Sequence, residues 1–260
     1  MKIAFIGAGR LAANLAPALK NAGCDLIEVW SKTQASAEAL AAYLDCKASW
    51  GRVGNATRKA DLYVLSVKDS VLKEVIMELH FGREQALFAH TAGSLPLGLF
   101  SESGHERGAV FYPLQTFSKE RIVDFSRVHF FIEAFKAADL ELLIGLARCL
   151  SPLSNIHETS SAERRRLHLA AVFACNFANH CFALSDEVLH AADLPFDAML
   201  PLIEETVQKL HELAPAQAQT GPAIRRDENV IGMHRAMLLD QPQLLAVYDV
   251  LTQSIQKMKH

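Results

Sequence analysis

The sequence predicts an α/β domain, in which helices cover both faces of a mostly parallel sheet, followed by an all-α domain. Strand-like and helix-like segments alternate through the first half, strand signals stop near residue 160, and half of the 260 residues are hydrophobic, enough for a large core. Alternating strands and helices are typical of a parallel sheet. This change from alternating strands and helices to helices alone predicts two domains, residues 1–155 and 156–260.

Short apolar runs predict the strands, and longer segments between them predict helices. The predicted strands are 2–6, 26–30, 61–67, 86–90, 109–112 and 129–132, and the predicted helices of this half are 11–22, 35–44 and 71–79. No glycine or proline interrupts residues 162–191, which predicts one long helix. Further helices are predicted at 196–213, 227–239 and 243–257.

Charge and cysteine content exclude several classes of protein. The net charge is −3, from 26 basic and 29 acidic residues, so neither a nucleic-acid partner nor an acidic tail is expected. The five cysteines are scattered without a C-x-x-C pair, which predicts free thiols in a reducing compartment and no metal site. With no signal peptide and no run of about 18 uninterrupted apolar residues, we expect a cytoplasmic protein without a membrane span.

The segment GAGRLA, residues 7–12, follows the first predicted strand and opens the first predicted helix. In the G-x-G-x-x-G/A pattern, Gly7 permits a tight turn, Gly9 lets the backbone approach a diphosphate, and Ala12 lets the helix pack closely on the strand. The helix N-terminus adds a partial positive charge. A dinucleotide-binding turn is therefore predicted rather than an ordinary glycine turn. Its contact residues would be Gly7, Ala8, Gly9, Arg10 and Leu11.

The end of the second predicted strand distinguishes NADP from NAD. An NAD site usually has an acid there for the ribose 2′-hydroxyl, whereas this strand ends in Ser31, Lys32 and Thr33, which suit a 2′-phosphate. Glu28 is the rival for NAD, but it lies inside the strand and is expected to point elsewhere. The sequence therefore favours NADP (NADPH), with a solvated surface lysine as the alternative for Lys32.

Two further strand ends should line the path of the cofactor, because ligands of parallel sheets bind beyond the carboxyl ends of the strands. The predicted contacts are Ser66, Val67, Lys68, His90 and Thr91. The next acid, Asp69, is equally suited to cap the following helix. His90 could bind or protonate a substrate, or it could be a packed residue with one satisfied nitrogen.

Polar residues within the long predicted helix form a second candidate site. At 3.6 residues per turn, four positions share one stripe, with Asn176 on its flank. They are His168, Val172, Cys175 and Asn179. Either His168 and Asn176 reach a cleft between the two halves and hold a substrate, or they bond a neighbouring helix. The arginines at 164–166 are interpreted as a solvated helix start.

Two loops complete the candidate site. Residues 111–118, FYPLQTFS, either close one wall of the cleft or join two strands with their aromatic rings in the core. In residues 220–227, TGPAIRRD, Gly-Pro interrupts the chain between helices and Asp227 caps the next one. Arg225 or Arg226 could bind a carboxylate or phosphate, with Arg225 favoured, or could form an exposed salt bridge.

Together these motifs resemble a known family. GAGRLA, SVKD (66–69), HTAGS (90–94), YPLQTFS and TGPAIRRDENVIGMH (220–234) are similar to those of bacterial Rossmann-like NADP oxidoreductases with a helical C-terminal domain of unknown function. That family is distantly related to pyrroline-5-carboxylate reductase, ketopantoate reductase and the helical domain of 6-phosphogluconate dehydrogenase. The resemblance spans nearly the whole chain and implies an NADP-binding domain followed by a helical dimerisation and substrate domain.

The family pattern carries over to individual positions of this chain. These are Gly7, Gly9, Ser31, Lys32, His90, Gln115, His168, Asn176, Thr220, Gly221, Pro222, Arg225 and Asp227. With the helical stripe, the predicted substrate-binding residues are Gln115, Asn179, Thr220, Gly221 and Arg225. This chain departs from its relatives in two places. Arg226 stands where relatives often have glycine, and the helical half lacks the glycine-threonine signature of pyrroline-5-carboxylate reductases.

The expected function is an NADPH-dependent reductase that passes hydride to a C=O or C=N carbon of a small, carboxylate-bearing substrate. His168 or His90 would donate the proton and Asn176 would orient the substrate. The alternatives are a non-catalytic NADP-binding sensor or partner-binding protein, and an imine reductase acting on pyrroline-5-carboxylate. A homodimer through the helical domain is expected, with no nucleic-acid or membrane partner.

Overall fold

The computed structural model describes residues 1–258 and contains an eight-stranded sheet. The strands are β1 (Lys2–Ile6), β2 (Asp25–Ser31), β3 (Lys47–Trp50), β4 (Leu62–Leu65), β5 (Leu87–His90), β6 (Gly108–Leu114), β7 (His129–Ala134) and β8 (Ile156–Glu158). Their order is β3-β2-β1-β4-β5-β6-β7-β8, and the first six run parallel. Strand β7 is antiparallel to β6 and parallel to β8. The predicted mostly parallel sheet is confirmed.

Helices connect the strands and form the second half, as predicted. The helices are α1 (Ala12–Asn21), α2 (Gln34–Leu44), α3 (Leu72–Leu79), α4 (Leu99–Glu102), α5 (Ala137–Arg148), α6 (Ser161–Ala171), α7 (Ala178–His190), α8 (Leu200–Gln208), α9 (Pro222–Arg225), α10 (Glu228–Met237) and α11 (Pro242–Gln256). The chain divides into two compact units, Met1–Cys175 and a remainder that begins at Asn176. This division falls later than residue 155, because β8 pairs with the sheet and α6 begins on it.

Apolar side chains cover both faces of the sheet, which explains why its strands read as continuous hydrophobic runs. In β1, Ile3 and Phe5 belong to the core on one face, whereas Ala4 and Ile6 belong to the core on the other. Successive residues of a strand point to opposite faces, so a strand buried on both sides must be apolar at every position. The strand therefore places the GAGRLA turn at the edge of a rigid, fully buried layer.

Part of the segment interpreted as a loop is strand. Residues 111–114 belong to β6, pair with β7, and bury Phe111 and Tyr112. Phe111 and Tyr112 lie within the predicted strand 109–112, and their burial agrees with the alternative that the aromatic rings of this segment lie in the core. The loop interpretation is wrong for residues 113 and 114, because Pro113 hid a pairing with a strand distant in sequence. Only residues 115–118 connect onward. Strands β3 and β8 and helix α5 were not predicted.

The predicted long helix is confirmed, but it is not uniform. A π-helical segment, Val172–Phe177, separates α6 from α7. The predicted stripe assumed 100° per residue throughout, and a π-helical turn, with its i→i+5 hydrogen bonds, does not keep that spacing. The stripe is therefore wrong beyond Val172. Segments of this kind are frequent at functional sites.

The helical span Ser161–His190 is long and apolar enough to cross a membrane by length and composition alone, and none of that window is buried. We expected no such segment, because our criterion was a run of about 18 uninterrupted apolar residues. A helix that contains scattered polar residues does not meet this criterion. Core helices of soluble proteins pass the same composition test, but they are mostly buried. The exposed apolar surface of this span is therefore unlike that of a buried core helix.

Acidic pH is expected to destabilise the fold through His105, which is fully buried with its ring stacked on Phe88. Burial disfavours the imidazolium and lowers the pKa of His105 from 6.5 to about 4. The unfolded chain therefore takes up the proton first, so stability present above pH 6.5 is lost as the pH falls towards 4. Between pH 7 and 5 we expect a loss of about 2 kcal/mol from this residue.

Urea denaturation at the two pH values measures this loss. The control is His105→Gln, which cannot titrate and keeps an N–H donor for the Ala86 carbonyl, 3.1 Å from Nε2 in the wild type. The variant should show the weaker pH dependence. An equal dependence in both proteins would refute the assignment.

Candidate functional site

The GAGRLA turn has the geometry of a diphosphate-binding loop. Gly7 has φ +117°, and its N–H donates to the Trp30 carbonyl at 2.8 Å. A Cβ at Gly7 would lie 2.5 Å from the carbonyl oxygen of Ser66, at the end of the neighbouring strand β4. Only glycine fits this close approach of two backbones. The turn is thus fixed against the adjacent strand.

The amides beyond this glycine are available to an anion. Across residues 1–258, the N–H groups of Gly9, Arg10 and Leu11 donate no hydrogen bond, although they stand just before α1. A Cβ at Gly9 would meet only the Ser66 carbonyl oxygen, at 3.9 Å, so space is open above the backbone. Unpaired amides at a helix N-terminus bind phosphate groups. The residues of this turn therefore fit a dinucleotide diphosphate.

The end of β2 offers hydroxyls and a cation, as predicted. Ser31 is half-buried, whereas Lys32 and Thr33 are exposed. Glu28 is 1% exposed, and its carboxylate accepts hydrogen bonds from neighbouring groups. The donors are Ser49 Oγ at 2.5 Å, the Thr57 N–H at 3.0 Å and Lys47 Nζ at 3.2 Å. The expectation that Glu28 points away from the strand end is confirmed, because its carboxylate is engaged inside the protein.

The ends of β4 and β5 are joined to one another and to the turn. Ser66 Oγ lies 3.3 Å from the Gly7 carbonyl, and Thr91 Oγ1 donates to the Leu65 carbonyl at 3.3 Å. Asp69 accepts a hydrogen bond from Ser94 and caps no helix, so the capping interpretation is wrong. Val67 is half-buried and Lys68 exposed at the same edge.

His90 lies inside the core. Its ring is fully buried and stacks on Phe100, and its Nδ1 accepts a hydrogen bond from the Ala92 N–H at 3.2 Å. Burial, together with the nearby Arg164 guanidinium, lowers the pKa of His90 to about 3. The ring is therefore neutral at physiological pH. These contacts favour the packing alternative over direct contact with a ligand.

His168 belongs to a cluster near the same edge of the sheet. Its Nδ1 lies 3.1 Å from the hydroxyl of Tyr112, whose ring meets the imidazole edge-on. The loop after β5 passes directly beneath, because a Cβ at Gly93 would come within 2.6 Å of His168 Nδ1 and 2.9 Å of Tyr112 Cζ. The ring of His168 is half-buried. The structure therefore brings a partly accessible imidazole, a buried phenol and a glycine loop together.

A buried ion pair fixes this cluster. Arg164, one helical turn before His168, is fully buried and donates to Glu133 at 2.5 Å and to the Leu95 carbonyl at 2.6 Å. The interpretation of residues 164–166 as a solvated helix start is therefore wrong for Arg164. Ser161 Oγ accepts from the Leu97 N–H at 2.9 Å, which adds a second tie to the same loop. The start of α6 and the loop after β5 are thus held together.

Asn14 of α1 forms hydrogen bonds with the loop of residues 115–123. The buried amide of Asn14 donates to the carbonyls of Arg10 and Ser118, at 2.9 and 2.7 Å, and its oxygen accepts from the Val123 N–H at 3.1 Å. Gln115, a predicted substrate contact, is exposed and accepts from the Thr116 N–H within its own loop.

The remaining predicted substrate residues belong to the second unit. Asn176, Asn179, Thr220 and Arg225 are exposed, and Gly221 is half-buried with φ +103°. Asp227 caps α10 by accepting from the Val230 N–H, as predicted. Arg226 has φ +52°, the left-handed conformation that glycine favours, so the turn keeps this conformation without a glycine.

Sequence reasoning missed three members of the cluster. Tyr112 was placed at the end of a predicted strand but was given no role in the site, and Gly93 and Glu133 were given no role either. Tyr112 and His168 are separated by 55 intervening residues, and no local pattern links positions so far apart. The strand pairing of β6 with β7 was the signal that could have placed Tyr112 near the edge of the sheet.

Comparison with known proteins agrees with this geometry. Residues 2–88 match the family described as NADP oxidoreductase, coenzyme F420-dependent, and residues 128–255 match a domain of unknown function, DUF2520. A putative NADP oxidoreductase from Bacteroides fragilis is 47% identical, with a TM-score of 0.94 over 99% of this chain and 98% of that chain. No curated protein matches the sequence.

Two more distant structures share the fold. An imine reductase from Myxococcus stipitatus in complex with NADP+ is 16% identical, with a TM-score of 0.71 over 99% of this chain and 93% of that chain. A pyrroline-5-carboxylate reductase from Coxiella burnetii is 17% identical, with a TM-score of 0.59 over 98% of each chain. With its N-terminal nucleotide-binding turn and its match along nearly the whole length of the Bacteroides protein, the chain belongs to the Rossmann-like NADP oxidoreductases with a helical C-terminal domain and is an NADP-dependent oxidoreductase.

Proposed function

We propose that this oxidoreductase transfers hydride from NADPH to a C=O or C=N carbon of a small substrate that bears a carboxylate. The observation that carries the proposal is the half-buried imidazole of His168, held by Tyr112 near the carboxyl ends of β5 and β6. Ligands of parallel sheets bind along that edge, where the GAGRLA turn also lies. An oxidoreductase of this kind needs a proton donor near its cofactor, and His168 offers one.

The proposal assigns a role to each predicted site residue. When bound, NADPH supplies the hydride. The amides after Gly7 bind its diphosphate, and Ser31, Lys32 and Thr33 bind the 2′-phosphate. His168, as the imidazolium, gives its Nε2 proton to the atom next to the reduced carbon; the neutral ring that remains takes up another proton from solvent. His168 is preferred over His90, because the His90 ring is fully buried and its pKa is about 3. Asn176 orients the substrate and Arg225 binds its carboxylate.

Replacing His168 with alanine tests the proposal. We expect kcat to fall about 100-fold, the usual contribution of a general acid, with unchanged NADPH affinity. The substrate comes from a thermal-shift screen of small keto and imino acids in the presence of NADPH. A ligand at a hundredfold excess over its Kd stabilises the folded chain by about 2.7 kcal/mol. His211→Ala, outside the cluster, is the control, and a normal rate in the His168 variant would refute the assignment.

Lys32 is expected to select NADPH over NADH. Lys32→Ala removes a cation that can bond the 2′-phosphate, so Kd for NADPH should rise about tenfold while Kd for NADH stays the same. Isothermal calorimetry with both nucleotides measures the two constants. Lys20→Ala, an exposed lysine on α1, is the matched control. A parallel rise for both nucleotides would show that Lys32 does not contact the 2′-phosphate.

We propose that a second copy of the chain covers the exposed apolar surface of the helical half. Leu169, Leu202 and Met237 are 58%, 61% and 73% exposed, and apolar surface of this extent marks an interaction site. A protein partner explains this surface better than lipid, because Asp186 and Glu187 are exposed on the same long helix and charged groups are costly in hydrocarbon.

Light scattering after gel filtration tests this dimer. Leu202→Glu should convert the dimer to a monomer, whereas Ile122→Glu, an exposed residue of the sheet unit, should not. A monomeric wild type, or one that pellets with lipid vesicles, would refute the proposal.

We also propose that the protein resides in the cytoplasm, since its five cysteines are free thiols. Cell fractionation tests this location.

A further inference from the structure

The hydroxyl of Tyr112 has one partner, and that partner is a ring nitrogen. Tyr112 is 8% exposed, and in the part of the chain that the structure describes its hydroxyl makes no hydrogen bond other than the one with His168 Nδ1. Burial raises the pKa of Tyr112, so the phenol keeps its proton at neutral pH. A buried hydroxyl without an acceptor is costly, and Nδ1 is the acceptor within reach.

This contact decides which nitrogen of His168 carries hydrogen. If Tyr112 donates to Nδ1, the single hydrogen of the neutral imidazole must be on Nε2. If the ring is charged, both nitrogens carry hydrogen, and the hydroxyl rotates to accept from Nδ1. In both protonation states Nε2 presents an N–H group. Among residues 1–258 this atom makes no hydrogen bond, so it is available to a ligand.

The surroundings hold the ring in this orientation. A Cβ on Gly93 would overlap His168 Nδ1, so the ring edge already fills the space above the loop. Arg164 fixes the helix one turn earlier. Rotation of the imidazole about χ2 would replace Nδ1 by carbon and leave the Tyr112 hydroxyl without a partner.

We propose that Tyr112 is a positioning residue that keeps a hydrogen on His168 Nε2, and that the group reduced in the substrate is therefore an uncharged carbonyl rather than a protonated imine. The inference rests on the proposed function and narrows its substrate class. A carbonyl oxygen accepts a hydrogen bond and gains negative charge as its carbon is reduced, which an N–H donor stabilises. A protonated imine has no lone pair on nitrogen and itself carries an N–H donor, so it cannot accept this bond.

The tautomer can be measured without any substrate. In ¹⁵N-labelled protein, two-bond ¹⁵N–¹H correlation spectra at a pH where the imidazole is neutral identify the protonated nitrogen of His168, assigned by its loss in His168→Gln. The wild type should show hydrogen on Nε2, and Tyr112→Phe should shift hydrogen towards Nδ1. Hydrogen on Nδ1 in the wild type would overturn the proposal, whether or not the variant folds.

Tyr63→Phe is the matched control. Tyr63 is also a buried tyrosine, and its hydroxyl donates to the Thr57 carbonyl at 2.6 Å, away from His168. It should lower stability without changing the His168 tautomer. An equal change of tautomer in both variants would show that Tyr112 acts only through general packing, and would overturn its positioning role.

The substrate class is tested by measuring the reduction of a 2-keto acid and of a cyclic imino acid that compete for the enzyme in the presence of NADPH. We expect the wild type to reduce 2-keto acids with a higher kcat/KM than cyclic imino acids of the same carbon number. Tyr112→Phe should lower kcat/KM for the keto acid about tenfold, the effect of one hydrogen bond. A preference for the imino acids would overturn the proposal. Failure of the proposed function itself would appear differently, as an absence of NADPH binding in calorimetry.

Discussion

Replacing Gly7 with alanine is expected to abolish NADPH binding. Gly7 has φ +117°, and a Cβ there would lie 2.5 Å from the carbonyl oxygen and 2.7 Å from the carbonyl carbon of Ser66. Both are backbone atoms directly after β4, held by the hydrogen bond from the Ser66 N–H to the Ile6 carbonyl, and cannot rotate away. The turn must therefore move, and the unpaired amides of Gly9, Arg10 and Leu11 move with it. Since these amides fit the diphosphate, their displacement removes the principal contact with the nucleotide.

Isothermal calorimetry with NADPH measures this effect, and Gly23→Ala separates it from backbone strain. Gly23 also has a positive φ, +86°, but a Cβ there would meet nothing within 4 Å. That variant should lose about 1 kcal/mol of stability from the left-handed conformation and bind NADPH normally. Wild-type affinity in a folded Gly7→Ala protein would show that the diphosphate binds elsewhere.

The nucleotide-binding half of the site could be predicted because its determinants are local. Strand, turn and helix follow one another within residues 2–21, and each has its own sequence signal. The same holds for Ser31 and Lys32, since a strand end is visible in a short window. The parallel topology then predicts that these motifs lie together, because parallel strands place Gly7, Ser66 and Thr91 at one edge of the sheet.

The cluster around His168 could be predicted only in part, because its contacts join residues far apart in sequence. His168 was recognised as a polar residue in an apolar helix. Its partner Tyr112, at the end of a predicted strand, was given no role in the site, because no local pattern links residue 112 with residue 168. Arg164 shows the same limit. Two exposed arginines follow it, so composition indicated a solvated run, yet Glu133 on β7 neutralises it inside the protein.

The π-helical segment was also beyond sequence reasoning. Hydrophobic periodicity predicts a helix but assumes regular spacing, and nothing in VFACNF signals a wider turn. The predicted stripe therefore kept Asn179 in line with His168. His90 shows the opposite case, since it was a candidate on the same grounds as His168 but is packed in the core.

Removing the Arg164 side chain is expected to cause the largest loss of stability of the substitutions considered. Arg164 is fully buried, whereas the Glu133 side chain is 19% exposed. Arg164→Met leaves Glu133 without its cation and the Leu95 carbonyl without its donor. Breaking a buried ion pair by deleting one partner costs about 3–5 kcal/mol. The partial exposure of Glu133 favours the lower end, so we expect the free energy of unfolding to fall by about 3 kcal/mol in urea denaturation.

Two comparisons isolate the ion pair from the loss of the arginine itself. Arg165→Ala changes the neighbouring exposed arginine and should alter stability by less than about 0.5 kcal/mol. The double variant Glu133→Gln/Arg164→Met removes both charges, so its loss should be smaller than the sum of the two single losses by about 1–3 kcal/mol. Additive losses would mean that the pair contributes nothing beyond packing. Because the same arginine ties α6 to the loop under His168, the single variant should also disturb the His168 ring resonances, which Arg165→Ala leaves unchanged.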